Sequence, residues 1–234
     1  MIAAALHAEL DQFIARTRRN NPLFCKAAEG SLTPEHISRY LTNLHHLLLH
    51  SPAHIARASE RAKDLGDGSL AKHYDHKLGE EIGHEVWAER DLEKVSAQVA
   101  VPASREIVPS MRELLGFIAA IIEEHPSLYL SYALFAEGLT VILGPEWLQL
   151  LEERCGIPRS SMTVVANHAE LDREHVQEAL DQIDDLVGDP RKLPRMREVI
   201  LESMAHFDRF CAEITQERAH DARASRSSQH VSAA

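Results

Sequence analysis

Cysteine is scarce and widely spread. The chain has three, Cys25, Cys155 and Cys211, an odd number without the spacing of a zinc ribbon or a redox pair, so a reducing, cytoplasmic setting is expected. Basic charge is also short. Lys and Arg number 25 against 36 Asp and Glu, a formal net charge of −11, which argues against nucleic acid as a partner because such proteins carry a concentrated basic surface. The N-terminal "MIAAALHAELDQFIARTRR" lacks a basic segment followed by an unbroken apolar core, and reads as an amphipathic first helix rather than a secretory signal. The most apolar run, Leu128 to Gly144, falls just short of the ~18 to 20 residues that span a bilayer. It also contains Ser131, two tyrosines and Glu137, so no membrane partner is expected. Alternating β-branched strands bounded by turns are missing, and no internal repeat is visible.

What is present is helical periodicity. Of the 234 residues 44% are hydrophobic, enough for a core of useful size, and apolar residues recur at three- and four-residue spacing almost throughout. Thr33-Pro34 reads as an N-cap with proline in the first turn, opening a long helix through Ile37, Leu41, Leu44 and Leu48 that is expected to kink at Pro52 and to end at "DLGDG". A third helix carries "LAKHYDHKLGEEIGHEVWAERDL", and after "VAVPASREIVPS" a fourth runs from about Met111 to Glu124. The apolar run from Leu128 is the fifth, a sixth passes through Ile183, and a seventh covers about Met196 to Arg218. The expectation is an all-α protein, a seven-helix antiparallel bundle occupying residues 1–220 as one domain, followed by a disordered tail at 221–234.

Within "LYLSYALFAEGLTVILG" the one charge is Glu137, and burying an unpaired carboxylate there costs several kcal/mol. A cation would offset that cost. The sixth helix contains "NHAELDREH", in which His168, Asp172 and His175 fall within roughly 60° of one another around the helix axis. Imidazole and carboxylate together suit a first-row transition metal. The competing reading is a solvated helix face, which Glu170, Arg173 and Glu174 also provide. The third helix adds "EEIGHE", with Glu81 and His84 at the i, i+3 spacing used on the ligand helices of ferritin-like dimetal bundles. Such pairs also arise by chance among 15 histidines. Glu80 stands at i, i+4 from His84, so spacing does not choose between the two glutamates. Together one of these two glutamates, His84, Glu137, His168, Asp172 and His175 set three carboxylates against the four positive charges of two ferrous ions, each residue being expected in mid-helix.

The segments "EIGHEVW", "YALFAEG" and "HAELDREHVQEAL" occur in the order and approximate spacing of the heme-oxygenase-like diiron oxidases, and most resemble the branch of fatty acid decarboxylases that form terminal alkenes. The resemblance covers roughly Thr33 to Leu186. It implies a seven-helix, heme-oxygenase-like bundle, commonly a homodimer, with Glu81, His84, Glu137, His168, Asp172 and His175 holding two Fe(II) ions that activate O2, and no heme. It leaves the small-molecule substrate open, with fatty acids and amino-acid or amine derivatives as the classes of choice. Two other functions compete. A metal-free, thiaminase-like hydrolase on the same bundle would need a cysteine nucleophile, and "SYALFAEGLT" offers none. A non-catalytic metal-binding bundle is compatible with the same ligands.

Several conspicuous residues have ordinary readings. His46, His50 and His54 form an i, i+4, i+8 stripe that reads as a polar face or pocket lining, since no carboxylate joins them. His73 and His76 lie upstream of Glu80, as outer partners of the metal ligands or as surface residues. Tyr40, Tyr129 and Tyr132 read as core aromatics, Cys211 as a small buried hydrophobe, and Arg39 and Arg57 as surface cations that would otherwise anchor a substrate carboxylate.

Overall fold

The computed structural model describes residues 2–99 and 106–216, with the side chains of 173–175 left out. The tail expected at 221–234 and the last residues of the seventh expected helix lie outside the described residues. The fold is all-α as expected; the described residues hold no strand and nine α-helices, the seven expected ones with two of them divided: α1 Ile2–Asn20, α2 Pro22–Ala28, α3 Pro34–Asp64, α4 Gly68–Glu81, α5 Glu85–Ser96, α6 Pro109–Glu124, α7 Tyr129–Cys155, α8 Thr163–Val187 and α9 Leu193–Thr215. Short 3-10 turns at Pro126–Leu128, Arg159–Ser161 and Pro190–Lys192 precede α7, α8 and α9.

The two extra helices come from local breaks. Asn21 accepts from the Leu23 amide at 3.0 Å, and Pro22 follows it in the first turn of α2, so the N-terminal segment restarts instead of continuing. The expected third helix breaks after Glu81, because Gly83 sits at φ +98°, in the left-handed region that favours glycine. The Gly83 amide donates to Glu85 Oε2 at 3.1 Å. Glu81 therefore closes α4, and His84 is the N-cap of α5, so neither is in mid-helix as the spacing had suggested. α3 opens as expected at Thr33-Pro34, with the Thr33 amide donating to His36 Nδ1 at 3.2 Å, and takes Pro52 into its interior.

α3 packs on α4, α5 and α6, while α7 packs on α8, α9, α1 and α2, and contacts of α5 with α8 and of α6 with α9 join the two groups. Two details set the helices that matter for function. Gly144 lets α7 approach α8 closely, since a Cβ there would lie 3.3 Å from Ala169 Cβ. Asp91 of α5, wholly buried, accepts from the Val164 amide at 2.7 Å and the Thr163 hydroxyl at 2.8 Å. It thus satisfies one orphan amide at the start of α8, and its negative charge is favoured by the positive end of that helix.

The apolar run is longer than the sequence expectation allowed. Pro126–Cys155 is long and apolar enough to cross a membrane by length and composition, and 61% of its apolar window is buried in the fold. Leu134, Leu143, Trp147, Leu148 and Leu151 of α7 are buried in the core, so much of that apolar surface is used internally.

Candidate metal centre

α2, α3, α4, α7 and α8 line a cavity of about 190 Å³. At its rim Glu81 Oε2 lies 3.4 Å from His84 Nδ1. Glu81, His84 and His168 each offer one ligand atom within 4.8 Å of the others, although they come from the end of α4, the start of α5 and the first turns of α8. His168 Nδ1 is 2.7 Å from the Val164 carbonyl. A carbonyl only accepts, so Nδ1 carries the hydrogen and Nε2 has the lone pair, the tautomer and fixed ring that a metal ligand needs. His84 Nδ1 is shielded from solvent and makes no hydrogen bond among the described residues. Trp87 stacks on the His84 ring at 4.3 Å and 21°, and the two imidazoles meet edge to face at 4.8 Å.

Glu137 and Asp172 line the same cavity as Glu81 and His168. Burial pushes the Glu137 carboxyl up to about 7, with Lys77 opposing and Glu81 and Glu80 adding to the rise. Glu137 is partly exposed, but to the cavity it lines. Asp172, 4% exposed, is pushed up to about 8 by burial and then by Glu137 and Glu81. Carboxyls that resist ionising beside one another are groups a cation would discharge. The side chain of His175 lies outside the described residues.

Other expected candidates are occupied elsewhere. Glu80 pairs with Lys77 at 3.0 Å and His76 at 3.2 Å, whereas Glu81 is the glutamate that meets the imidazoles. His46, His50 and His54 do not line the cavity. The His50 ring bonds the His46 carbonyl at 2.8 Å, and burial lowers His54 to about 4. His73 does line the cavity, and burial lowers its pKa. Arg39 donates to the carbonyls of Glu213, Ile214 and Gln216 at the end of α9, and Arg57 makes a two-pronged pair with Glu123. Neither is placed as a substrate anchor. Tyr40 packs on Trp147 and Phe210, whereas Tyr129 and Tyr132 line the cavity. Burial raises both phenols, and Glu81 adds to the rise. Cys211 is fully buried, as expected.

Three residues escaped the sequence reading. Trp87 follows His84 by three positions and covers it. Asp91 sets α5 against α8. Lys77, one turn before Glu80 and Glu81, brings a buried positive charge to the cavity.

Residues 38–208 match the family described as iron-containing redox enzymes. The chain belongs to that family. Among solved structures it resembles a domain of unknown function with a heme oxygenase-like fold from Shewanella denitrificans OS217, at 20% identity over 90% of both chains with a TM-score of 0.77. It also resembles a TenA homolog from Pseudomonas syringae pv. tomato DC3000, at 15% identity over 93% of both chains with a TM-score of 0.68. A CADD-like protein of unknown function from Nostoc punctiforme PCC 73102 shares 14% identity over 91% of this chain and 94% of that one, with a TM-score of 0.66. No curated protein matches the chain. The fold is heme-oxygenase-like, and the residues present in this iron-containing redox enzyme suit iron. Imidazole and carboxylate donors converge, the lone-pair nitrogen of His168 is fixed, and His84 Nδ1 has no hydrogen bond to give up among the described residues.

Proposed function

We propose that this protein is a non-heme diiron oxidoreductase that uses O2 to oxidise a small metabolite with an apolar segment, of the fatty acid or amino-acid and amine classes. The observation that carries this is the convergence of Glu81, His84 and His168 within 4.8 Å at a cavity whose other walls hold Glu137 and Asp172. Glu81, His84 and His168 would hold one ion, and Glu137 and Asp172, with His175 from the expected set, would hold a second. When bound there, two ferrous ions would supply the electrons for reduction of O2.

The chain's own part is to bind, orient and exclude water. Val164 fixes the His168 ring through Nδ1, and Trp87 covers His84. Burial favours the protonated forms of Glu137 and Asp172 in the metal-free protein, and a cation entering the cavity would displace those protons from their carboxyl oxygens. Leu44, Leu48, Leu130, Leu139 and Leu143 wall the cavity and offer an aliphatic segment a dry place beside the metal ligands.

A metal-free hydrolase is disfavoured, because no cysteine lines the cavity among the described residues. A storage role is disfavoured by the apolar cavity, which storage does not need. The test is to load the protein anaerobically with Fe(II), then mix it with O2 and a panel of medium-chain carboxylates and amino-acid derivatives. Uptake of O2 coupled to an oxidised organic product is expected. Oxygen uptake with no organic product would indicate storage, and turnover by iron-free protein would indicate a hydrolase. Either outcome overturns the proposal.

A further inference from the structure

Lys77 has no part in the chemistry above. It is 9% exposed, and its Nζ is shielded from solvent without a hydrogen bond among the described residues. It lines the same cavity as Glu81, Glu137, His168 and Asp172. Its ion pair is to Glu80 Oε2 at 3.0 Å. Taking an ammonium out of water is expensive and is tolerated where opposite charge is concentrated. Here Glu80 is its ion-pair partner, and Glu81, Glu137 and Asp172 share the cavity it lines. No arginine lines the cavity among the described residues, and Lys77 is the one lysine that does.

The charge balance then has a consequence for metal loading. Those four carboxylates, when ionised, meet one positive charge from Lys77 and two from a first ferrous ion. One negative charge is left for the two positive charges of a second ion. Without Lys77 there would be two, and the second ion would be matched. The loaded pocket keeps one positive charge in excess, so the ammonium and the second ion compete for the same carboxylates.

We propose that Lys77 is a tethered counter-ion, held by Glu80 in the metal-free protein, that weakens binding of the second metal ion and makes that ion exchangeable. This rests on the two-ion reading above, and the experiment separates the two. Lys77→Met keeps the aliphatic stem and removes the charge, whereas Lys77→Arg keeps the charge. Anaerobic Fe(II) titrations of wild type and both variants give the stoichiometry and the two stepwise affinities, and melts of the metal-free proteins give the fold's response. Lys77→Met should bind the second ion at least tenfold more tightly, change the first affinity less, and lower the melting temperature of the metal-free protein. Lys77→Arg should keep the weak second affinity. Should Lys77→Met fail to fold, Lys77→Gln carries the same expectations. Wild type that binds two ions, with a second affinity unchanged or weaker in the charge-removing variant, overturns the counter-ion role alone. Equal tightening in Lys77→Arg overturns it too, since packing and not charge would then be the cause. Wild type that binds no iron overturns the two-ion reading and this proposal with it.

Discussion

Replacing Glu137 by leucine separates the requirements of a metal site from those of a fold. In the metal-free protein burial pushes this carboxyl up to about 7 from an ordinary 4.5, against the opposing field of Lys77. Between those values the folded protein holds a proton that the unfolded chain has released. The associated stability is therefore fully present below the unfolded value and is lost as pH rises through the folded one. A tenfold difference in proton affinity between the folded and unfolded chain is worth about 1.4 kcal/mol, so the loss is about 3 kcal/mol once the pH is near 8. Leucine is similar in volume and cannot ionise, and Lys77 keeps its partner Glu80. Metal-free Glu137→Leu should therefore melt above wild type near pH 8, by on the order of 5 to 10 °C for a chain of this size. The two should converge near pH 5, and the variant should lose iron. Paired thermal melts at the two pH values, read beside iron content, provide the assay. A pH-independent destabilisation of about 3 to 5 kcal/mol would mean that Glu137 is what holds a buried cation, which the change has stranded. Retention of two irons would show that it is not a ligand.

Asp172→Ala should bind one iron where wild type binds two, with the helix intact because alanine is the best helix former; chelator-based iron counts that stay unchanged would exclude Asp172 from the site. Iron uptake should tighten between about pH 6 and 8, with release of protons from Glu137 and Asp172 measurable in weakly buffered solution; an affinity independent of pH would contradict the raised carboxyls. Gly83→Ala forces a side chain into φ +98° at a cost on the order of 1 to 2 kcal/mol. It should weaken iron binding while circular dichroism shows the helices retained, and unchanged binding would show that the break does not set His84 against Glu81.

The candidate donors were legible where sequence spacing and helix geometry coincide. His168 and Asp172 share one continuous helix, so their common face follows from the period alone, and Glu137 stands out because its neighbours are apolar. Glu81 and His84 were singled out on a helical spacing that they do not have. Gly83 turns the chain between them, and they meet at 3.4 Å across the break, a result of φ at one residue that the pattern "EEIGHE" leaves ambiguous. The seven-helix expectation missed the same break and the one at Asn21-Pro22. Other features depend on contacts between distant parts of the chain. Nothing near Asp91 indicates that it caps α8, and nothing near Arg39 indicates that it closes the end of α9. Lys77 is the intermediate case. Its position one turn before Glu81 was readable, but a lysine in a charged stretch reads as solvent-facing until the fold shows it buried in the cavity wall.

The two-metal claim is tested most directly by anomalous diffraction at the iron absorption edge, on crystals of protein loaded with Fe(II) under anaerobic conditions. Two peaks are predicted, one at coordination distance from Glu81, His84 and His168 and the other bounded by Glu137 and Asp172. An empty map in the cavity, or iron held elsewhere, for instance by His46, His50 and His54, would contradict it.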